Sequence, residues 1–543
     1  MRRHLIIGGG PSAAAAARRF AELSEPVTVV CAGKAQPVAP MLSYGEGDRW
    51  SNWRSTSKTQ WSDMIETAGE ADYAWSDKSP KFTIPRYAAA FARSDEIVRD
   101  NFFGANIQGL GGLSVGWGAG VEFWSEDDFA QWGMSGDAFR PHYQALIDIV
   151  GVSGPPARGV ERACGARISG DLGVLQDDDV SLYRPTELNP VLDRFAGRYL
   201  KGRKSASALR WMHAAVRTRA AGEAVKPGHC SRSGYCLTGC PQNAIYSADR
   251  DLSELAAKGL IELVTDEEVV RIERTGDDTH WRAHLRSGDG KVSQIEAETL
   301  LVAAGAIGSA KLVYPLLGLT DTPRRLLSTP AGGYGVVLPF EFGRAFDDEF
   351  VSLLQLGFQL PTGGAQADDA YGYITSLDGL PLWFLCLNMP ASAGLSRAIL
   401  RELASAMLAG NVIFPSKYSD HAIAVGRDGQ VKVRGGYTAE LDDALRKCQA
   451  QLGREVGRGG GILAPGGIRL GLPGSDLHFG GTLPHSTTGQ AGTCDHDGAI
   501  TGLPSIYVVD GAAAPSLPGR AHTFTLMANA RRIVDRLTQP PRA

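Results

Sequence analysis

An α/β protein built on a doubly wound parallel sheet, with an inserted α+β unit carrying an antiparallel sheet, is predicted by three features of the sequence. A strand, a glycine turn, a helix and a second strand follow one another within about the first thirty residues. A block of short β-rich runs occupies about 330–435, and a strand followed by an amphipathic helix closes the chain.

In order, His4–Ile7 reads as a strand, the glycines after it as a turn, Ser12–Leu23 as a helix ended by Pro26, and Val27–Cys31 as the second strand. The glycine-rich stretches Gly104–Gly120 and Gly457–Gly467 read as loops that bring backbone close to a cofactor or to the core. Phe350–Leu360, Tyr371–Ile374 and Leu382–Leu387 are short β-rich runs, and His421–Val425 with Gln430–Val433 flank an Asp428-Gly429 hairpin turn; together they predict one antiparallel sheet. From Thr438, Leu441, Leu445, Cys448, Leu452 and Val456 recur at helical spacing, so Cys448 is expected in the core. Strand Ile506–Val509 and a helix over His522–Leu537, burying Leu526, Ala530, Ile533, Val534 and Leu537, return the chain to α/β character.

At 543 residues, two or three structural units are expected. With 43% hydrophobic and 21% charged residues and a formal net charge of -4, the chain is globular and lacks the basic excess of a nucleic-acid binder. The opening Arg2-Arg3 and apolar run resemble an export signal, but Gly8–Pro11 break it and Arg18 and Arg19 follow. No run reaches the roughly 18 apolar residues of a membrane span, so a cytoplasmic protein is expected unless a partner carries it elsewhere. Cys31, Cys164, Cys386, Cys448 and Cys494 are scattered, whereas Cys230, Cys236 and Cys240 crowd together, which does not read as a disulfide scaffold.

Gly8-Gly9-Gly10-Pro11-Ser12-Ala13 fits GxGxxA between a strand and a helix. Gly8 permits the turn, Gly10 lets backbone meet a pyrophosphate, and Ala13 allows close helix packing, as a dinucleotide site requires, with Ser12 a further candidate cofactor contact. The acid expected about twenty residues on, where a carboxylate would take the adenosine ribose, is replaced by Cys31.

Further motifs follow in order: Gly109–Gly120 with Asp127-Asp128-Phe129 and Trp132-Gly133; Leu301–Ser309; His478-Phe479-Gly480-Gly481-Thr482; Gly502 through Ile506–Gly511 to Pro515; and His522–Ala528. This succession resembles the glucose-methanol-choline (GMC) oxidoreductases. The resemblance implies a Rossmann-like FAD-binding domain of glucose-oxidase type with an inserted α+β substrate domain containing an antiparallel sheet. It implies the boundaries 1-150, 226-325 and 466-543 for the FAD-binding parts, and 151-225 and 326-465 for the substrate domain. Gly111, Gly112, Ser114, Trp117, Gly118, Ala304, Gly305, Asp510, Gly511 and Thr523 would join Gly8, Gly10, Ser12 and Ala13 around FAD. Some relatives attach flavin through histidine in a Thr-His-Trp triplet; Val115-Gly116-Trp117 stands here, so noncovalent FAD is implied.

Removing a hydride from a carbon bearing a hydroxyl requires a base beside the flavin, a task that suits histidine. By resemblance His478 is that base and His522 its partner, while His485 and His496 have loop roles. The resemblance implies oxidation of a CH-OH group of a small-molecule alcohol, sugar or glycoside, with Tyr373 and Trp383 as candidate pocket liners. Cys230, Cys236 and Cys240 form C-x5-C-x3-C-P, which suits an iron-sulfur cluster better than zinc. The spacing is similar to that of FAD-dependent bacterial sugar dehydrogenases, whose [3Fe-4S] cluster passes electrons to a cytochrome; a disulfide or packed thiols are the alternatives. A dehydrogenase serving a cytochrome or quinone is expected with the cluster, and an oxygen-using oxidase without it. A hydroxynitrile-lyase-like enzyme with structural FAD, and a binding protein that has lost its cofactor, are the remaining alternatives.

Overall fold

The computed structural model describes residues 2–34, 97–104, 106–154, 167–170, 173–175, 188–202, 205–218, 224, 226, 228–230, 232, 236, 240, 242–276, 280–344, 354–377 and 391–539. Its main sheet has seven strands. Strands Glu262–Thr265, Val27–Cys31, Arg2–Ile7, Val292–Val302 and Ile506–Val508 lie side by side in that order and run parallel. Strand Val292–Val302 serves two partners in succession. Its first half pairs antiparallel with Trp281–Ser287, and its last residues pair parallel with Ile506–Val508, Leu300 opposite Ile506. Glu267–Arg274 completes the antiparallel edge.

The central parallel strands are apolar where both faces are covered. Val27–Cys31 is buried at every position. Helix Pro11–Glu22 packs its alanines and Phe20 on one face together with the C-terminal helix Thr523–Thr538. Helix Gly305–Val313 lies among the residues that cover the other face. The N-terminal β-turn-α-β and the closing strand and helix therefore stand where the sequence pattern puts them.

The second large sheet has eight strands, ordered Ile462–Leu463, Ala331–Val337, Met407–Ile413, Ala370–Ser376, Leu356–Leu360, Ser205–Trp211 and Arg167–Gly170, with Arg469–Leu470 also on Ala331–Val337. All its pairs are antiparallel except the last, between Arg167–Gly170 and Ser205–Trp211. Helix Glu440–Arg458 closes it, burying Leu441, Cys448, Leu452 and Val456 as the spacing predicts, with Ala444 buried in addition and Leu445 only partly buried. The hairpin at Asp428-Gly429 forms, with Gly429 at φ +81° and Gly426 donating to Gln430 O at 2.8 Å. It does not join this sheet: its strands lie in a separate four-stranded sheet with Arg324–Leu326 and Ile97–Asp100. The run Leu382–Leu387, residues 350–353 and Trp383 lie outside the described residues. Gly457–Gly467 serves the core, since a Cβ on Gly459 would meet the Phe195 ring at 2.2 Å and one on Gly461 would meet Val336 at 2.9 Å.

The tightest constraint is at the first glycine. Gly8 has φ +127°, and a Cβ there would stand 2.1 Å from Ala303 O, on the neighbouring strand's backbone. Gly10 has φ -83° and nothing within 4 Å of a built Cβ. Gly8→Ala is expected to lose at least about 1–3 kcal/mol from backbone strain alone, with the clash added. In flavin-free protein, Gly10→Ala should keep the wild-type midpoint in denaturant unfolding. Equal midpoints for the two variants would refute this.

Candidate active site

The carboxyl ends of the parallel strands open into a cavity of about 1390 Å³ including its mouth. Its wall includes Gly8, Gly10, Ser12, Gly112, Ser114, Trp117, Ala304, Gly305, Asp510, Gly511, His522 and Thr523. Ala13, Gly111, Gly118 and His478 stand off it. Ala13 is buried in the helix packing, as GxGxxA predicts. Gly111, at φ +94°, donates to Gly9 O at 2.8 Å and so joins the two glycine loops. Ser114 has a structural task as well: its hydroxyl donates to Gly111 O at 2.6 Å and accepts from Ala248 N at 3.0 Å. Trp117 is held by Nε1 donating to Tyr246 O at 2.9 Å.

Helix Pro11–Glu22 begins at this wall with Gly10 as N-cap and no side-chain cap. Its first-turn amides, with the positive end of the helix dipole, therefore form an anion cradle. The open space over Gly10 and the long apolar wall fit FAD, with a phosphate at this helix. Past the carboxyl end of strand Ile506–Val508, Asp510 is 4% exposed and engaged by three donors. Its carboxylate accepts from Gly305 N at 2.7 Å, Ser309 Oγ at 2.8 Å and Ala512 N at 2.8 Å. Burial, partly offset by these donors, raises its pKa.

His478 and His522 meet edge to face, with ring centroids 4.8 Å apart and planes at 88°. His522 precedes the C-terminal helix as its N-cap residue, but its side chain makes no cap bond. Its Nδ1 is buried without a hydrogen-bond partner, and burial pulls its pKa down to about 4. The neighbouring peptide is clamped: Ala521 N donates to the buried Glu122 carboxylate at 2.6 Å, and Trp124 Nε1 donates to Ala521 O at 3.4 Å.

His478 is held by a short cross-strand register. Leu327 pairs antiparallel with Gly480, which sets Thr329 opposite His478, and Thr329 Oγ1 lies 2.7 Å from His478 Nδ1. Behind it runs a second chain of bonds. Gly436 N donates to His421 Nδ1 at 3.0 Å, so that nitrogen carries no proton and Nε2 does. His421 Nε2 then donates to Ser328 Oγ at 2.8 Å, Ser328 donates to Asp476 Oδ2 at 3.1 Å, and Asp476 Oδ1 accepts from His478 N at 2.9 Å. Every donor direction follows from the first backbone N–H.

The sequence does not point to Thr329, Ser328, Asp476 or Glu122 as site residues, and places His421 only as the start of a hairpin strand. The Asp476-x-His478 spacing was the available signal; the others come from distant strands. Tyr373 does not line the cavity: it is 1% exposed and its hydroxyl donates to Glu122. His485 is buried, packed on Trp132 and bonded through Nδ1 to Asp495 O at 2.7 Å, so its role is structural.

The three crowded cysteines do not converge as ligands. None of Cys230, Cys236 and Cys240 is joined in a disulfide, and among the described residues no group of three possible metal ligands comes together. Cys230 and Cys236 are buried in the core and Cys240 packs against it. Cys230 Sγ accepts from Arg232 N at 3.2 Å and Cys240 Sγ from Ala244 N at 3.3 Å, so nearby backbone amides help orient these two thiols. The expected [3Fe-4S] site at these residues is therefore not supported, and neither is the disulfide.

Burial holds His142, His421 and His522 at about 4 and His485 at about 3, all below the ordinary 6.5. Between those values the unfolded chain binds more protons, so stability rises with pH. It is complete above about pH 6.5 and is lost as pH falls toward about 4. Thermal midpoints are expected to drop steadily from about pH 7 to about pH 4.5, with proton uptake on unfolding in calorimetry near pH 5. A flat profile across that range would contradict the neutral, buried state.

No protein-family profile and no curated protein matches the chain. Solved structures do. Pyridoxine 4-oxidase from Mesorbium loti superposes with a TM-score of 0.60 over 99% of both chains at 12% identity. Formate oxidase gives 0.60 over 98% of both at 13% identity, and a variant of Aspergillus oryzae RIB40 formate oxidase studied for FAD modification gives 0.61 over 98% of both at 13%. With full-length superposition on both proteins, and with the parallel sheet and glycine cradle in place, the chain shares the fold of these oxidases, the architecture that the resemblance to the GMC oxidoreductases implies.

Proposed function

We propose that the chain is an FAD-dependent oxidoreductase acting on the CH-OH group of an alcohol, sugar or glycoside. The observation that carries this reading is the facing pair His478 and His522, 4.8 Å apart, beside a cavity that also holds an uncapped helix N-terminus and two joined glycine loops. Bound FAD would lie with its phosphates over Gly8, Gly10 and Ser12 and its ring toward Gly112, Trp117, Ala304, Gly305, Asp510, Gly511 and Thr523. The flavin supplies the hydride acceptor.

The residues of the chain supply the proton chemistry. His522, neutral because its pKa lies near 4, holds the substrate oxygen by a hydrogen bond without competing for its proton. His478 is the base. In the tautomer this role requires, Nδ1–H donates to Thr329 Oγ1 and the unprotonated Nε2 takes the hydroxyl proton, while Asp476 fixes the backbone. Glu122 and Trp124 hold the Ala521 peptide, and hence His522, at the distance this requires. The reading of a cytochrome or quinone acceptor leant on three convergent thiolates. Without them among the described residues, and with both named structural neighbours being oxidases, dioxygen is the acceptor we favour.

The test is anaerobic stopped-flow mixing of the yellow, flavin-bearing protein with alcohols and sugars. Flavin bleaching by one of them, and reoxidation by oxygen, are expected. Turnover of a cyanohydrin with no bleaching by any alcohol would replace this reading with a lyase, and a colourless protein that binds no flavin would end it. His478→Ala should slow flavin reduction by about 10²–10⁴-fold with flavin still bound. Thr329→Val should slow it by about 10-fold or more and shift its pH profile, while Thr329→Ser restores both. Unchanged rates and profiles would remove these residues from the proton step.

A further inference from the structure

The replacement of the expected acid by Cys31 leaves the adenosine end of the cavity without its carboxylate, and the neighbouring strand supplies one. Strand Val27–Cys31 runs parallel to Glu262–Thr265 with Cys31 opposite Thr265. The chain then turns through Asp266, at φ +66°, into strand Glu267–Arg274. Glu267 therefore stands two residues past the partner of Cys31, at the same carboxyl end of the sheet, and it lines the cavity beside Cys31 and Ala32.

The other groups there are occupied. The Cys31 thiol is buried between Gly9 and Gln108, with Sγ 3.8 Å from Gln108 O; burial pushes its pKa up to about 11, so it carries no charge. Asp266 pairs with Lys34 at 2.8 Å. Glu268 accepts from Arg286 at 2.7 Å, Lys311 at 3.1 Å and Gln108 at 3.5 Å. Glu267 differs, because its Oε2 is buried and has no hydrogen-bond partner. A buried carboxylate oxygen without a donor is costly, and the residue that carries this one lines the cavity. A vicinal diol offers two O–H donors to one carboxylate.

We propose that Glu267 is the carboxylate that binds the ribose diol of the cofactor's adenosine half, taking over on the adjacent strand the task that the end of Val27–Cys31 has lost. The assignment rests on the FAD reading above. It also makes the cavity an adenosine site whose discrimination lies in the sugar.

The test uses the full chain stripped of flavin and measures, by calorimetry, the affinities of FAD, ADP, 2′,3′-dideoxy-ADP and inosine diphosphate. Wild type is expected to prefer ADP over the dideoxy analogue by about 10- to 100-fold, the worth of hydrogen bonds to a charged group. Glu267→Ala should abolish that preference and leave the ratio of ADP to inosine diphosphate unchanged; Glu267→Gln, which keeps the shape, should weaken it in the same direction. Circular dichroism and thermal melts check that both variants fold. A preference that survives in both folded variants overturns the proposal. So does loss of the ADP-to-inosine ratio instead, which would place the carboxylate on the adenine amine. Tight wild-type FAD binding with no diol preference overturns the anchor alone, whereas no binding of FAD or ADP by wild type overturns the FAD reading beneath it.

Discussion

The Asp510 carboxylate is the interaction on which the site's geometry depends. It lies at the end of strand Ile506–Val508 and accepts from Gly305, Ser309 and Ala512, thereby tying the C-terminal segment to the helix that follows strand Val292–Val302. The next residues carry the tie onward. Gly481 donates to Gly511 O at 3.0 Å and Leu483 to Ala512 O at 2.8 Å, so the segment bearing His478 is laced to the same turn. A buried carboxylate is expensive unless its lone pairs are filled, and here three donors fill them. Removing one donor would strand the rest, which is why one charge can fix segments two hundred residues apart in sequence.

Around that tie the molecule positions two histidines by different means. His522 is placed by backbone clamping at Ala521 and by burial of its ring in a helix N-terminal turn. His478 is placed by an antiparallel register of only a few residues and by the chain from His421 through Ser328 to Asp476. That chain has a fixed direction because Gly436 N can only donate. Such networks rigidify when every member is satisfied, and these members are buried. The two rings thus face each other from structures that do not depend on each other's side chains.

The fold was legible where chemistry is local. Gly8 must be glycine because of its φ and the carbonyl of Ala303, and the alanines of the first helix must be small where the C-terminal helix packs on them. The helix over Glu440–Arg458 could be read from its spacing alone. What failed was non-local. The Asp428-Gly429 hairpin is evident in sequence, but the sheet it enters is decided by Ile97–Asp100, more than three hundred residues earlier. Thr329 meets His478 only through the pairing of Leu327 with Gly480, which no periodicity announces. The cysteine run shows the same limit. Close spacing in sequence suggests shared ligands, whereas the three residues sit in or against the core and Cys230 and Cys240 accept from nearby backbone amides.

Cys31 shows what a motif specifies and what it leaves free. The carboxyl ends of adjacent parallel strands lie about 4.8 Å apart, so a side chain on one can serve nearly the same volume as a side chain on its neighbour. Glycine positions cannot migrate in that way, because they are fixed by backbone contact: Gly8 against Ala303, and Gly9 against Cys31 itself, whose Sγ would lie 2.6 Å from a Cβ there. A carboxylate that reaches a ligand through two or three rotatable bonds has no such restriction. The turn at Asp266 places Glu267 beside the vacated position, while Lys311 and Arg286 neutralise the adjacent Glu268 and keep the two acids from repelling in the same role. The constraint that persists at this end of the sheet is therefore the supply of one uncommitted acceptor to the cavity, and its place in the sequence is secondary.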